Sequence, residues 1–363
     1  MNEDRVDRIC YNINIQHSRA GAGDDLNSPA VFSEALARPL INNPSEWDIL
    51  INKFKIDTFS IPITIVKLQE YQPVRTDGKF FTDYWVQLVD GGGYVHTAPC
   101  MYKPEQSLHS RAPVQDTKPS GEVKYDNTSE VFFVYSYQHI LDMINETIQE
   151  VCAEAYIESA PYFTYDSRTQ LISVQYSSDF DQLSIEETPI LSFSRNLEEF
   201  VGKGFRCQRS GKEWFNHRLE SDTYQAAPFY LTQEYPTVGN WNICNAILIT
   251  SSSLPVQPEY YPMHSHDGDL IHRHTGNSEY LNMGSLQILA VYYPNASKPG
   301  DMSTSVYYSS DNIANGDRIS LRGSTPINRM DIQIYWADIY NNIYQLKLPE
   351  NGQASIRLVF IRK

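Results

Sequence analysis

The chain has 363 residues, 41% of them hydrophobic and 20% charged, with a formal net charge of −15. Its length exceeds one small domain, and its composition is that of a globular chain and excludes a disordered one. The acidic balance argues against broad nucleic-acid binding, which needs Lys and Arg to displace phosphate counterions.

Residues 1–45 carry Arg5, Arg8, Arg19 and Arg38 against six acids, so they form no basic tail. "MNEDRVDRIC" is charged and lacks an apolar core, so no signal peptide is expected. No run of 18 apolar residues occurs, so no membrane span is expected. "CYNINIQH" alternates and "AGAGDDLNSPA" is rich in turn residues. The segment is expected to be an extended N-terminal arm that orders on assembly, its short strand adding to a neighbour.

From Trp47 the period changes to two. Phe54/Ile56 and Ile61/Ile63/Ile65 each read as one strand face, with Pro62 at an edge or bulge. "YWVQLVDGGGYVHTAP" predicts a hairpin turning on Gly91, Gly92 and Gly93 with positive φ. Residues 102–130 read as a long loop. A helix follows over about 138–157, capped by Ser136. Leu141, Ile144, Ile148, Val151 and Ala155 share its apolar face, opposite Asp142, Glu146 and Glu150. "YFTYDSRTQLISVQY" predicts a second hairpin turning at Asp166–Thr169, and "RNLEEFVG" a short helix ending at Gly202. Beyond residue 228 strands return, in "PFYLTQ", "WNICNAILIT", "SLQILAVYY", "STSVYYSS", "DRISLRG", "MDIQIYWADIYNNIYQLKL" and "ASIRLVFIRK". Short strands separated by Gly, Pro and Asn turns predict a sandwich or barrel. The expected fold is mainly β: a single jelly-roll sandwich over 46–100 and 228–363, interrupted by an α+β insertion at 101–227. Ile332, Ile334, Trp336, Ile356, Leu358 and Phe360 are its expected core.

Chemistry-bearing residues are sparse. Cys10, Cys100, Cys152, Cys207 and Cys244 are odd in number and contain no C-x-x-C, so free thiols are expected. Sequons at Asn127, Asn145 and Asn295 carry little weight without a secretory route. Four of the nine histidines, His264, His266, His272 and His274, fall in "HSHDGDLIHRHTG". An H-x-H on a jelly-roll strand is a cupin-type metal pair, but the following Glu positions hold Leu270 and Ile271. A solvated loop is the plainer reading, a proton switch the next, since imidazoles titrate near pH 6.5. Asp267-Gly268-Asp269 lacks the ligand spacing of a Ca²⁺ loop. "RSGKEW" is only a fragment of a P-loop, and there is no G-x-S-x-G. Glu198-Glu199 reads as a solvated helix face rather than a glycosidase pair. Cys207 sits among cations that would lower its pKa. The last nineteen residues, with Lys347, Arg357, Arg362 and Lys363 against Glu350, are a local basic patch at most. No catalytic constellation and no cofactor are expected.

Several stretches in order carry a resemblance: "FSEALARPLINNPSEWDILINKFKI", "FSIPITIV", "VYSYQHILDMINETIQEV", "APYFTYDSRTQLISV", "NICNAILITSSSLPV" and the C-terminal "PINRMDIQIYWADIYNNIYQLKLPENGQASIRLVFIRK". Their succession, over most of residues 31–363, resembles the penton, or minor capsid, proteins of Polinton-type elements, adintoviruses, polinton-like viruses and virophages. The resemblance implies a structural capsid protein and no enzyme. It further implies a single jelly roll whose homopentamer closes the fivefold vertices of an icosahedral virion, surrounded by a double-jelly-roll major capsid protein. Other minor capsid or cement proteins are further candidate partners, sequence-specific nucleic acid is not, and assembly would take place inside the host cell. The 25 tyrosines suit interfaces, being apolar rings with a wet hydroxyl. The Arg-Gly-Asp loop of adenovirus penton bases, more distant in architecture, has no counterpart here. The alternative is a cupin-like metal- or sugar-binding jelly roll, whose metal ligands would be the four clustered histidines.

Overall fold

The computed structural model describes residues 7–17, 27–69, 78–104, 131–181, 188–210, 212–217, 219–220, 228–237, 241–256, 287–294, 305–309, 318–339, 343–349 and 351–363. Strands dominate. In chain order they are β1 (Arg8–Gln16), β2 (Asn27–Pro29), β3 (Val31–Ala35), β4 (Trp47–Asp57), β5 (Thr64–Lys67), β6 (Phe80–Val89), β7 (Val95–Tyr102) and β8 (Val131–Val134). After helix α1 (Tyr137–Glu154) come β9 (Tyr162–Asp166), β10 (Leu171–Tyr176) and β11 (Ile190–Ser194). After α2 (Arg195–Leu197), prolonged by a π-helical turn at Glu198–Gly202, come β12 (Cys207–Ser210), β13 (Trp214–His217) and β14 (Phe229–Thr232). The last are β15 (Cys244–Thr250), β16 (Ile288–Tyr292), β17 (Ser305–Ser309), β18 (Ile319–Ser320), β19 (Arg329–Asp338), β20 (Ile343–Gln345), β21 (Lys347–Pro349) and β22 (Gln353–Arg362).

Among the described residues, contacts divide the chain at Pro62/Ile63 and Asn242/Ile243. The first unit, built from both ends of the chain, is a two-sheet sandwich. One sheet runs β1-β22-β4-β17 with β18 also on β4, and the other β16-β15-β19-β20 with β3 also on β19. Alternation decides what each strand buries. Ile13 and Ile15 of β1, Phe54 and Ile56 of β4, and Ile356, Leu358 and Phe360 of β22 point inward and are at most 7% exposed. Ile332, Ile334 and Trp336 of β19 are likewise buried, and Trp336 stacks on Tyr344 of β20 at 4.4 Å. Phe54 packs against Tyr292 of β16 and Tyr308 of β17, so aromatic rings tie the sheets together at one flank.

The second unit, from Ile63 to Asn242, has its own core. Its sheets run β12-β13-β11-β6-β7 and β14-β10-β9, with β5 and β8 as a separate ribbon. Helix α1 packs on β7, β9 and β6. Ser136 caps it by accepting from His139 N at 3.3 Å. Ile140, Leu141, Ile144, Ile148 and Val151 are fully buried, and Asp142, Glu146 and Glu150 are exposed. Asn145, the middle sequon, is 2% exposed and spends its whole amide on strand β9: Nδ2 donates to Phe163 O at 2.8 Å and Oδ1 accepts Phe163 N at 2.7 Å. The helix thereby closes an edge of the three-stranded sheet.

Several expectations are corrected. The segment 1–45 is no loose arm where it is described. β1 pairs with β22 over nine residues, β2 with β21 and β3 with β19, all in the same chain. Ile13 and Ile15 find an apolar cover there without a neighbour. The hairpin β6–β7, expected in the jelly roll, belongs to the second unit, because β6 pairs with β11 and lays Tyr84, Val86 and Leu88 into its core. β14, also expected in the jelly roll, pairs with β10 instead. Ile61, Ile63 and Ile65 do not share a buried face. Ile61 is buried in the first unit, whereas β5 buries Thr64 and Val66, so the alternation resets where the chain crosses at Pro62. In the β6–β7 turn only Gly93 has positive φ (79°). The rest of that turn is held by Asp90 Oδ1, which accepts Gly92 N and Tyr94 N.

Candidate functional site

The six expected core residues lie on β19 and β22, in the facing sheets of the sandwich. Their exposures, from 0% to 4%, make them packing residues. His264, His266, His272 and His274 lie outside the described residues, as do Asn127 and Asn295. Among the described residues no group of three or more His, Cys, Asp or Glu is placed to hold a metal ion.

One buried polar cluster escaped sequence reasoning. Glu198, in the π-helical turn after α2, is 6% exposed, and His217 at the end of β13 is 2% exposed. Glu198 Oε2 lies 2.9 Å from His217 Nε2, an ion-pair distance. Phe193 covers the imidazole, ring to ring at 4.3 Å. Cys207 faces His217 across the β12–β13 pair and donates Sγ–H to Glu198 Oε1 at 3.3 Å. Gly202 sits against the same carboxylate, since a Cβ there would fall 1.8 Å from Glu198 Oε2. This overturns the solvated-face reading for Glu198, while its neighbour Glu199 is exposed and pairs with Arg195 at 3.1 Å. It also overturns the lowered pKa for Cys207. Burial first, then the Glu198 charge and hydrogen bond, push the thiol up to about 11. The carboxylate stands between thiol and imidazole, with Glu198 and His217 buried and Cys207 exposed at the rim. The only sequence signal was the spacing Glu198-x-x-x-Gly202, which places a small residue one helical turn from the acid.

A second buried polar anchor lies in the first unit. Asp331, 4% exposed on β19, accepts Ser251 Oγ at 3.0 Å, Ser252 N at 2.9 Å, Ser252 Oγ at 2.7 Å and Ser253 N at 2.6 Å. Ser253 Oγ in turn accepts Asp331 N at 3.1 Å. Burial pushes this carboxyl up, but the hydrogen bonds of Ser253 and Ser252 outweigh it and hold its pKa below the ordinary value. The cluster pins the chain as it leaves β15. A lone Asp in the apolar run "RMDIQIYW", with "TSSSLP" elsewhere, was the legible trace.

The sandwich flanks are different from its core. On one flank the sheets end in β1 and β3, with Tyr11 against Phe32 edge to face at 6.5 Å and Val31 38% exposed. On the other they end in β16 and β17, where Tyr293 is 54% and Tyr307 63% exposed. Open strand edges and exposed tyrosines are the material of protein assembly. A cavity beside Gly204, Phe205 and Arg206 holds about 160 Å³. The described residues thus form a β-sandwich with open, tyrosine-bearing edges, an architecture that by itself fits many tasks.

Comparison with known proteins places it more closely. Residues 9–362 match the family model described as Sputnik minor capsid protein V18/19, and the chain belongs to that family. It is 28% identical to structural protein V19 of Sputnik virophage over 220 residues, covering 55% of this chain and 94% of that one. It is 29% identical to protein V18 of the same virophage over 128 residues, covering 35% of this chain and 73% of that one. Its fold resembles a chain of the Sputnik virophage structure with a TM-score of 0.73 at 24% identity, over 98% of both chains. It resembles the mavirus penton protein with a TM-score of 0.64 at 16% identity, over 98% of this chain and 99% of that one. The chain is a virion capsid protein, and the cupin-like alternative is left without support.

Proposed function

We propose that this capsid protein is the penton, five copies of which close around the fivefold axes of an icosahedral shell beside a double-jelly-roll major capsid protein. The observation that carries the reading is the likeness of fold to the mavirus penton protein along nearly the whole of both chains. Cyclic pentamers join two different patches of the same chain in a heterologous contact that closes on itself. The sandwich offers such a pair in the β1/β3 flank and the β16/β17 flank. The core residues Ile332, Ile334, Trp336, Ile356, Leu358 and Phe360 keep the sandwich rigid between these flanks, and the unit from Ile63 to Asn242 is an inserted domain. The task is structural, without catalysis, and is completed during virion assembly in the host cell.

Native mass spectrometry of the purified chain, alone and mixed with its major capsid protein, tests this. The expected species is five times the 41.7 kDa chain mass. A monomer under both conditions would sink the proposal.

A further inference from the structure

The outer face of the sheet β1-β22-β4-β17 has a charge opposite to that of the chain. Residues that alternate with the buried ones form two rows across it. Asn14, Ser355, Lys55 and Tyr307 make one row; Asn12, Arg357, Lys53 and Ser309 make the next. Cys10 and Arg8 continue the face along β1. Lys53, Lys55, Asn12 and Asn14 are exposed, and Arg357 is half-buried. None of Arg8, Lys53, Lys55 or Arg357 is paired with a described carboxylate, whereas Lys79, Arg195, Arg206 and Arg362 each are. The acids of this sheet stand at its ends and are engaged there. Asp57 accepts Gln353 N at 2.9 Å, and Asp48 lies 3.6 Å from Lys363 Nζ. The surplus of acid lies elsewhere: residues 63–242 hold 25 Asp and Glu against 14 Lys and Arg. With a screening length of about 8 Å at physiological salt, a ligand on this face meets the local cations and not the net charge.

We propose that this face binds the phosphate backbone of nucleic acid without reading its sequence. Lys53 and Lys55 are two residues apart on one strand, about 6.8 Å, close to the separation of neighbouring phosphates along a single strand. Arg357 sits directly across from Lys53 and adds a planar fork of donors. Asn12, Asn14 and Ser355 supply neutral donors between the cations. Tyr307, 63% exposed and across from Lys55, offers a ring on which a base stacks. The positive potential is felt within the face, where Arg357 and Arg8 together hold the Cys10 thiol below its ordinary pKa. An acidic protein partner fits less well, because among the described residues Tyr307 is the one large exposed ring of this face, short of the cluster of anchors that fixes a protein interface. The sequence-level argument from net charge missed this, since the cations come from three strands far apart in the chain. In a virion protein such a face suits the packaged genome. Its binding does not depend on the pentamer reading.

The test is fluorescence anisotropy of the full chain with a labelled twenty-residue oligothymidylate, in 50 mM and 200 mM NaCl. Binding is expected at the lower salt, with log affinity falling against log salt with a slope of about −2 to −3, for three or four phosphates at about 0.7 each. Lys53→Glu with Lys55→Glu is expected to lower affinity at least tenfold, and Lys53→Arg with Lys55→Arg to retain it. Circular dichroism and native mass of both variants should match the parent, as the substituted side chains are exposed. Absence of binding at 50 mM, or binding indifferent to the Glu pair, overturns the proposal. So does polyglutamate that binds more tightly than the oligonucleotide and shows the same Glu-pair sensitivity, which would assign the face to an acidic protein. None of these failures touches the pentamer, which native mass reads separately.

Discussion

Cys10 and Cys207 are both exposed thiols with arginine close by in sequence, Arg8 for one and Arg206 and Arg209 for the other, yet their surroundings pull them apart. A hydrogen bond from Arg357 is the largest influence on Cys10; burial opposes it, and Arg8 adds to the lowering. Cys207 is pushed up to about 11 by burial and by Glu198, and Cys100, Cys152 and Cys244 are pushed up to about 12 by burial. Only thiolates alkylate, and the greater intrinsic nucleophilicity of a high-pKa thiol offsets part of the difference. Iodoacetamide at pH 7.5 is therefore expected to modify Cys10 about tenfold or more faster than Cys207, with the three buried thiols slower still. Peptide mass spectrometry over time reads the order, and a Cys207 that reacts as fast as Cys10 would contradict it. The string "GFRCQRSGK" could not reveal this. Arg206 turns to Glu234 at 3.7 Å and Arg209 to the Lys212 carbonyl at 3.4 Å, and the deciding charge comes from Glu198, nine residues earlier.

At the scale of elements, the anchor between β15 and β19 makes a sharp prediction. Asp331→Asn keeps the shape but turns an amide toward donors from Ser251, Ser252 and Ser253 that need an acceptor. A loss of about 2–4 kcal/mol at pH 7 is expected in urea unfolding. Because the folded carboxyl titrates below its usual range, its contribution is complete above the unfolded value of about 3.9 and fades as pH falls through the folded one. The gap between parent and variant should therefore narrow below about pH 4, and a gap under about 0.5 kcal/mol at pH 7 would refute the anchor. Elements with one strong local signal were legible: the helix after Ser136, with its stripe at three- and four-residue spacing, and the hairpin at Asp166, whose carboxylate accepts Arg168 N and Thr169 Oγ1. The Asp331 and Glu198 clusters were not, because their partners are brought together only by the fold. A polar residue inside an apolar run marks such places without naming the partner.

For the whole molecule, alternation and turn chemistry identified a mainly β chain with a sandwich, but not where one unit stops and the next begins. Strands β6 and β7 alternate as well as β4 does, and nothing in "YWVQLVDGGGYVHTAP" tells whether its apolar side meets a helix or a second sheet. That choice is made by β11, a hundred residues later, and by α1. The N-terminal segment misled for a related reason: its Gly and Asn content speaks of looseness, while Ile13 and Ile15 are bound by a register with β22 that only the far end of the chain can supply. The division has an energetic meaning that can be measured. The continuous core running from Val66 to Trp241, through Val86, Ile144, Phe163 and Phe193, draws every residue from between Ile63 and Asn242. A segment that buries its apolar side chains against one another needs no cover from the sandwich to pass the threshold of cooperative folding. The fragment 63–242, expressed alone, is expected to give one cooperative urea transition with coincident near- and far-ultraviolet dichroism. A fragment that keeps its far-ultraviolet signal, loses the near-ultraviolet one and binds hydrophobic dye would be a loosely packed state, and would show that the sandwich is needed to complete this core.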